Sequence, residues 1–360
     1  MHRTLRLRGP SSASLPVTRA TSGSSKLDAG KLELETVPFA LHEVVEDVGE
    51  LLAESAHRKG LELVCDVSRR VPATLHGDPK RLGRILTNLV SNAIKFTKRG
   101  EVVVRVDIWS ETAEHVLLRF EVADTGIGLS AEQQARLFQP FAQAEKSTAR
   151  QYGGTGLGLA ISKGLVAVMG GEIGAVSRPE MGSTFWFTAR LGKGLTGPEA
   201  SQDRRGELRG LRVLVIADSA TSRAVLEKQL RAWGMHPDST ANGPQGVEQL
   251  RARREAGVQY DMAIVDMQMP GMHGLDIIGR IRHDVTHHTF PVVLLAAVHD
   301  RDTRDGVGPV ECAVRLPKPV RISRLYEALC QLMDASRLER GRPGVASARI
   351  GEAAARAAAS

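Results

Sequence analysis

The stretch that most constrains this chain is Arg150-Gln-Tyr-Gly-Gly-Thr-Gly-Leu-Gly-Leu-Ala160, where Gly153, Gly154, Gly156 and Gly158 fill four of six positions. Glycine inside a helix or strand is destabilising by roughly 0.5–1 kcal/mol relative to alanine. Such a cluster therefore serves positive φ, or the close approach of backbone N–H groups to something bulky and anionic. A phosphate chain fits that description. Neither common phosphate signature is present. The G-x-x-x-x-G-K-[ST] loop needs Lys-Ser or Lys-Thr after its last glycine, and Gly158 is followed by Leu159-Ala-Ile-Ser-Lys163. The dinucleotide pattern G-x-G-x-x-G fails because Leu159 stands where the third glycine belongs after Gly154 and Gly156. The partners of this loop must be sought upstream.

With 360 residues, 42% of them apolar and 25% charged, the chain has the composition of a globular protein with two cores of ordinary size. The longest apolar run, Val292 to Val298, is far below the ~20 residues a bilayer crossing takes, and no charged-then-apolar signal segment opens the chain. A cytoplasmic protein, or the cytoplasmic part of a membrane-associated one, is expected. Cys65, Cys312 and Cys330 have neither metal spacing nor a disulfide framework, which points to a reducing compartment. The net charge of +7 lies in the ends: residues 1–25 carry four Arg and no acid, residues 336–360 five Arg and two Glu. The remainder sums to zero, so the folded part is not built to grip nucleic acid.

Residues 1–25 lack apolar periodicity and are expected to be disordered. Residues 26–31 read as the end of a helix with its glycine stop. Leu32 to Leu41 reads as a strand, and Glu43 to His57 as an amphipathic helix carrying Val44, Val45, Val48, Leu51 and Leu52. Leu61 to Val67 is a strand. Asp78-Pro79 is an N-cap followed by Pro at the first helical position, opening a helix through Ile94. Val102 to Ile108 and Val116 to Val122 alternate as paired strands. A short helix from Ala131 to Phe138, a helix from Leu157 to Met169, and strands Glu172 to Ser177 and Thr184 to Leu191 complete the first half. Residues 193–210, polar with Gly and Pro, mark a linker. Beyond it strands (Leu211 to Ile216, Tyr260 to Val265, Val292 to Ala296, Ala313 to Leu316) alternate with helices (Ser222 to Trp233, Gly246 to Ala256). That order implies a doubly wound parallel sheet with its site at the carboxyl ends of the strands.

Asn88 and Asn92 lie one turn apart on the 78–94 helix, and two amides among apolar residues are expensive unless they bind something. An amide oxygen suits Mg²⁺, and Lys95 adds a cation for phosphates. Asp124, at a strand end before Gly126 and Gly128, can accept a hydrogen bond from an exocyclic amine while the glycines let a flat base approach. In this combination the residues resemble the histidine-kinase ATP-binding domain, the Bergerat fold shared with gyrase, the heat-shock chaperone ATPases and the mismatch-repair ATPases. Asn88 to Thr97 is similar to the N box and Asp124 to Gly128 to the first glycine box. Phe138 to Phe141 resembles the F box, Gly153 to Leu159 the second glycine box, and Gly182-Ser-Thr-Phe185 the glycine motif that follows. The resemblance runs from about Ser25 to Leu191 and implies an α/β sandwich with a mixed sheet that binds ATP with Mg²⁺. It implies that Asn92 binds Mg²⁺, Asn88 and Lys95 contact phosphates, Phe96 packs near the base and Asp124 reads the adenine amine. Gly126, Gly128, Phe138 and Thr184 would complete the pocket, with Gly153, Gly154, Thr155, Gly156, Leu157, Gly158 and Leu159 as its lid.

The ATPases of that superfamily place a Glu one turn before the Mg²⁺ asparagine to activate water. This chain has Asn88 there, which cannot act as a base near neutrality, so ATP is expected to be held rather than hydrolysed. The nucleophile in the family is a histidine on a helical hairpin. Residues 26–31 resemble only the end of that hairpin, and the chain is expected to lack the acceptor module, which a missing N-terminal region or another chain would supply. His42-Glu43 mimics the start of the family's His box but sits in the first helix of the ATP domain without the downstream proline, and reads as a half-exposed helix residue.

Asp218, Asp266 and Lys318 end three strands of the second half, where two carboxylates and a lysine would converge on a pocket fit for Mg²⁺ and phosphoryl chemistry. Residues 210–335 resemble a response-regulator receiver domain, a flavodoxin-like doubly wound sheet. The resemblance makes Asp266 the phosphoacceptor, Asp218 and Asp266 metal ligands, and Lys318 the cation that neutralises the phosphoryl group. Ala217 stands where the receiver pattern has a second acid and Ala296 where it has Thr or Ser, which implies weak Mg²⁺ binding and a poor readout.

The expected organisation is a disordered tail (1–25), a remnant of a dimerisation helix (26–31), an ATP-binding kinase domain (32–192), a linker (193–210), a divergent receiver (211–335) and a basic Ala/Arg-rich tail (336–360). The expected function is that of a protein histidine kinase in a two-component phosphorelay, with a histidine phosphotransfer protein or response regulator downstream. The alternative is a non-catalytic ATP-binding scaffold with a pseudo-receiver.

Overall fold

The computed structural model describes residues 34–139, 156–194, 206–269, 271–284, 290–297 and 313–340. The expectations for residues 1–25 and 26–31 lie outside these. The first unit runs β1 (Val37–Phe39), α1 (Leu41–His57), β2 (Leu61–Val67), β3 (Leu75–Gly77), α2 (Pro79–Phe96), β4 (Gly100–Glu111), β5 (His115–Asp124), α3 (Ala131–Arg136), α4 (Gly158–Val168), β6 (Ile173–Ser177) and β7 (Ser183–Lys193). Strict alternation gives β4, β5 and β7 one apolar face: Val102, Val104, Val106, Val116, Leu118, Phe120, Val122, Phe187 and Leu191 are buried against the helices. At the centre Phe120 and Phe187 stack with ring centroids 4.5 Å apart. The seven-stranded sheet has the order β1-β3-β7-β5-β4-β2, with β6 also on β7. Only the β2–β4 pairing is parallel among the described residues, so the sheet is mixed, as expected.

Helix α2 starts where the sequence places it. Asp78 caps it by accepting from Arg81 N at 3.0 Å, and Pro79 occupies the first turn, where its missing N–H is harmless. Its stripe of Leu82, Ile85, Leu86, Leu89, Val90, Ala93 and Ile94 is buried, which leaves Asn88, Asn92 and Lys95 on the half-exposed flank. The helix ends at Phe96, where Lys59 Nζ donates to the carbonyls of Ile94 (2.7 Å) and Lys95 (2.8 Å), satisfying two groups a helix end leaves orphaned. Helix α1 differs from expectation. It begins at Leu41, the preceding strand shrinks to three residues, and Leu51 is 67% exposed, because the buried stripe is Leu41, Val45, Val48, Ala53 and Ala56.

The second unit comprises β8 (Arg212–Ile216), α5 (Ala220–Ala232), β9 (His236–Thr240), α6 (Gly243–Glu255), β10 (Met262–Asp266), α7 (Gly274–Asp284), β11 (Val292–Ala296), β12 (Ala313–Pro317) and α8 (Ile322–Arg340). Its five strands are all parallel in the order β12-β11-β10-β8-β9. The chain steps from β8 outward to β9 and then back across to β10, so a crevice opens at the carboxyl ends of β8 and β10, where Asp218 and Asp266 stand. β10 and β11 are buried at every position, as expected of a sheet covered on both faces. β3, β9, α7 and α8 are not anticipated from the sequence, and α8 carries the fold on to Arg340, five residues into the stretch read as a tail.

Replacing Asp78 by Ala removes a buried cap that also pairs with Arg81 Nε at 2.8 Å. We expect a loss of about 1–2 kcal/mol, read as a lower denaturant midpoint at unchanged slope, with Asp78→Asn losing less because it keeps the cap.

Candidate functional site

The end of β5 is built around Asp124. Its Oδ1 accepts from Gly126 N at 2.8 Å, the Ser183 amide also donates to the carboxylate, and burial raises its pKa against those bonds. The three glycines around it are sterically required. A Cβ on Gly126 would lie 2.6 Å from Phe96 O, one on Gly128 (φ 65°) 1.9 Å from Arg178 O, and one on Gly182 (φ 80°) 1.9 Å from Asp124 O. This brings the Asp124 loop against Phe96 at the end of α2, as the sequence implied. Thr184 is half-buried on β7, paired with Ala123 beside Asp124.

Helix α4 closes the other side. Asn88 Nδ2 donates to Ser162 Oγ at 3.0 Å, and a Cβ on Gly158 would lie 2.6 Å from Asn88 Oδ1, so a glycine at the first turn of α4 is what lets it approach the amide row. Gly156 has φ 67°, Leu157 is the N-cap and Leu159 packs on the core. The described half of the expected lid is thus the start of a helix, while Gly153, Gly154 and Thr155 lie outside the described residues. Lys95 Nζ sits 5.1 Å from the Phe96 ring centroid, one turn beyond Asn92. Phe138, half-buried just after α3, is described, but the rest of its box from residue 140 is not. The sequence reading missed Ser162, Ser177 and Gln134. Ser177 Oγ accepts from Leu129 N (2.8 Å), and Gln134 Nε2 donates to Ser177 O (3.0 Å), pinning the loop after Asp124. His42 is exposed in the first turn of α1.

In the second unit Asp266 is 1% exposed at the end of β10. Its Oδ2 accepts from Lys318 Nζ at 2.7 Å and its Oδ1 from Gln268 N at 3.1 Å, while burial pushes its pKa up to about 6 despite the lysine. Gly274 is needed beneath it, since a Cβ there would lie 2.8 Å from Asp266 O. Asp218 is exposed at the end of β8, its backbone carbonyl accepting from Arg223 Nη1 at 3.0 Å, whereas Ala217 and Ala296 are buried. Asp266 and Lys318 are therefore brought together as expected, with Asp218 at the rim. Among the described residues no three His, Cys, Asp or Glu side chains converge as a metal site, so a Mg²⁺ here would rest on two carboxylates and its own waters.

The two units meet at this site. Lys318 Nζ also donates to Glu62 Oε2 of β2 at 2.9 Å, and Glu62 Oε1 accepts from Ser222 Oγ of α5 at 2.7 Å. Burial lowers the Lys318 pKa, but Glu62 and Asp266 more than offset it, so the net shift is upward. Around this centre Thr221 donates to Glu101 (2.7 Å), Lys228 to Asp66 (2.9 Å) and Ile322 N to Glu46 (2.9 Å), and Arg321 pairs with Asp47 and with Glu50 (2.7 Å). Cys65 lies beside Pro319, both crowding Gly49.

Residues 77–193 match the family of histidine kinase-, DNA gyrase B- and HSP90-like ATPases, and residues 213–330 match the response regulator receiver domain. The chain is thus an ATP-binding domain of the kinase type joined to a receiver. It is 45% identical over 245 residues to the sensor protein GacS of Pseudomonas syringae pv. syringae, covering 67% of this chain and 26% of that protein. It is 35% identical over 344 residues to the sensory/regulatory protein RpfC of Xanthomonas campestris pv. campestris (strain 8004), covering 87% of this chain and 47% of that one. Among solved structures, full-length ShkA in complex with AMPPNP aligns at a TM-score of 0.67 and 29% identity, over 86% of this chain and 60% of that chain. The chain spans from about a quarter to about half of the length of these two curated relatives. No helix among the described residues is long and apolar enough to cross a membrane.

Burial, and then the Glu46 carboxylate, push the Cys65 thiol up to about 12. Raising a thiol pKa makes thiolate scarce below it, so alkylation of Cys65 should still climb about tenfold per pH unit at pH 10, where an ordinary cysteine has levelled off. Quantifying the modified peptide by mass spectrometry checks this, and a plateau near pH 9 would mean the thiol is not covered.

Proposed function

We propose that this chain carries the phosphoryl-transfer machinery of a two-component phosphorelay: its first domain binds ATP with Mg²⁺ for transfer to a histidine, and its receiver takes the phosphoryl group on Asp266. The observation that carries the first half is Asp124, a carboxylate partly withdrawn from water in a cradle of glycines that a Cβ would fill, on a loop packed against Phe96 at the end of the helix that bears Asn88, Asn92 and Lys95. Bound ATP supplies the γ-phosphoryl group, and the chain supplies position and charge neutralisation. Asp124 would accept from the base amine, and the Asn92 amide oxygen would be a ligand for the metal. Lys95 and Asn88 face the phosphates, with Asn88 oriented by Ser162. Since neither amide is a base, water is not activated and the nucleotide is kept for a histidine.

In the receiver, Asp266 is the nucleophile. Fixed by Gln268 N and Lys318, it presents one carboxylate oxygen for attack while Lys318 neutralises charge, and Asp218 at the rim is the second carboxylate toward Mg²⁺. The acceptor histidine belongs to a helical hairpin, and a phosphotransfer protein or response regulator is the onward partner. A cytoplasmic location fits this chemistry.

Replacing Asp124 by Ala should weaken adenine-nucleotide binding about 10- to 100-fold in calorimetry, the effect of losing one hydrogen bond to a charged group. Incubation with labelled ATP, alone and with a separately made acceptor hairpin, tests the activity. Label on the hairpin that Asp124→Ala abolishes is the expected result, whereas no label under either condition would make the chain a nucleotide-binding scaffold instead.

A further inference from the structure

We propose that Glu62 of the ATP-binding domain is a specificity-determining competitor at the receiver's acceptor site: it holds Lys318, so that Asp266 takes a phosphoryl group only as the two domains part. The inference rests on the reading of Asp266 as the acceptor.

Lys318 is the cation at hand to neutralise a phosphoryl group on Asp266, and in the docked chain it already serves a second anion. Its Nζ lies 2.7 Å from Asp266 Oδ2 and 2.9 Å from Glu62 Oε2. Glu62 is itself held by the receiver through Ser222 Oγ, so both of its oxygens are engaged there. A carboxylate contributed by the other domain thus takes one of the three Lys318 N–H donors and part of the charge that a phosphoryl group on Asp266 would draw on.

Space leads to the same conclusion. Asp266 borders a hollow of about 30 Å³ whose walls include Glu62, Ala217, Ser222 and Lys318. That is room for about one or two waters and not for a phosphoryl group with its metal. A larger cavity of about 540 Å³ lies between the domains, lined by Glu62, Glu101, Asp218, Gln268 and Lys318. Solvent and small ions therefore reach the rim of the site, where Glu62 is itself one of the walls beside Lys318. Adding a group of nearly two negative charges beside the Glu62 carboxylate sets like charges against each other across the interface, so phosphorylation and docking oppose one another.

The reaction read out is transfer from an acyl phosphate. An Asp266 oxygen bonds to phosphorus as the bond from phosphorus to the acetate oxygen breaks, and acetate departs with the electron pair. With radiolabelled acetyl phosphate and Mg²⁺, Glu62→Gln, which keeps the side chain's size and an acceptor for Ser222, should label about 10- to 100-fold faster than the parent chain, the equivalent of one charged hydrogen bond. Ser222→Ala, which frees the other Glu62 oxygen, should shift labelling the same way by a smaller factor. In the parent chain, acetyl phosphate should raise the alkylation rate of Cys65 at pH 8 as Pro319 withdraws, and Asp266→Asn should suppress both labelling and that rise. Equal labelling of parent and both variants, with Cys65 unaffected, would overturn the competition while leaving Asp266 as the acceptor. Failure of every variant to label while ATP still binds would overturn the acceptor reading, and this inference with it.

Discussion

One ammonium group ties the architecture to its chemistry. Lys318 is placed at the end of β12, across β11 from β10, by the parallel register of the receiver sheet, and there it meets Asp266 inside the domain and Glu62 outside it. A buried ammonium stripped of partners would lose several kcal/mol, so the lysine requires at least one carboxylate at all times. With two, the cation is over-supplied and can release one without being left unpaired. This asymmetry makes Glu62 the expendable partner, because Asp266 is fixed by its own backbone while Glu62 arrives on the edge strand of another sheet.

Much of this was legible in the residues. The cap at Asp78, the amide row at Asn88 and Asn92 and the glycine-framed Asp124 follow from local patterns whose physics acts within a few residues of chain, whereas the pairing of Asp266 with Lys318 follows from strand ends that a parallel sheet brings together. What was not legible has physical reasons too. β9 reads His-Pro-Asp-Ser-Thr, with no apolar alternation and with a proline, because it is an edge strand that needs neither. α7 opens on one glycine and contains another, which propensity counts against a helix, yet Ile277, Ile278 and Ile281 pack it onto the sheet. Leu51 was misassigned because an apolar residue on a helix says nothing of which face meets the core.

The interdomain surface was the least readable feature. Glu46, Asp47, Glu50, Glu62, Asp66 and Glu101 look in sequence like the solvated side of α1 and of two strands. In the fold they are the acceptors for Thr221, Ser222, Lys228, Lys318, Arg321 and the Ile322 amide. Acids on one domain and donors on the other set orientation more than strength, since exposed pairs contribute little and are screened by salt. Glu46 is the exception: buried at the joint, it has a raised pKa from desolvation, which its bond from Ile322 N and the nearby charges of His42 and Arg321 only partly offset.

The same surface also brings the receiver to the nucleotide site. Thr221 donates to Glu101 at the start of β4, and the Glu101 amide donates to Thr125 Oγ1 at 3.0 Å, the residue directly after Asp124. A Cβ on Gly100 would lie 2.2 Å from that hydroxyl, so the turn is packed too closely for Thr125 to shift alone. Adjacency of this kind is not coupling. Coupling requires an element with two discrete arrangements whose balance both sites bias. Under the competition proposed for Glu62, docked and parted domains would be such a pair of arrangements. Glu62, bonded to Lys318, and Glu101, bonded to Thr221, are direct partners in the β2–β4 ladder. The contacts that reach Asp266 and the turn after Asp124 therefore run through one pair of adjoining strands.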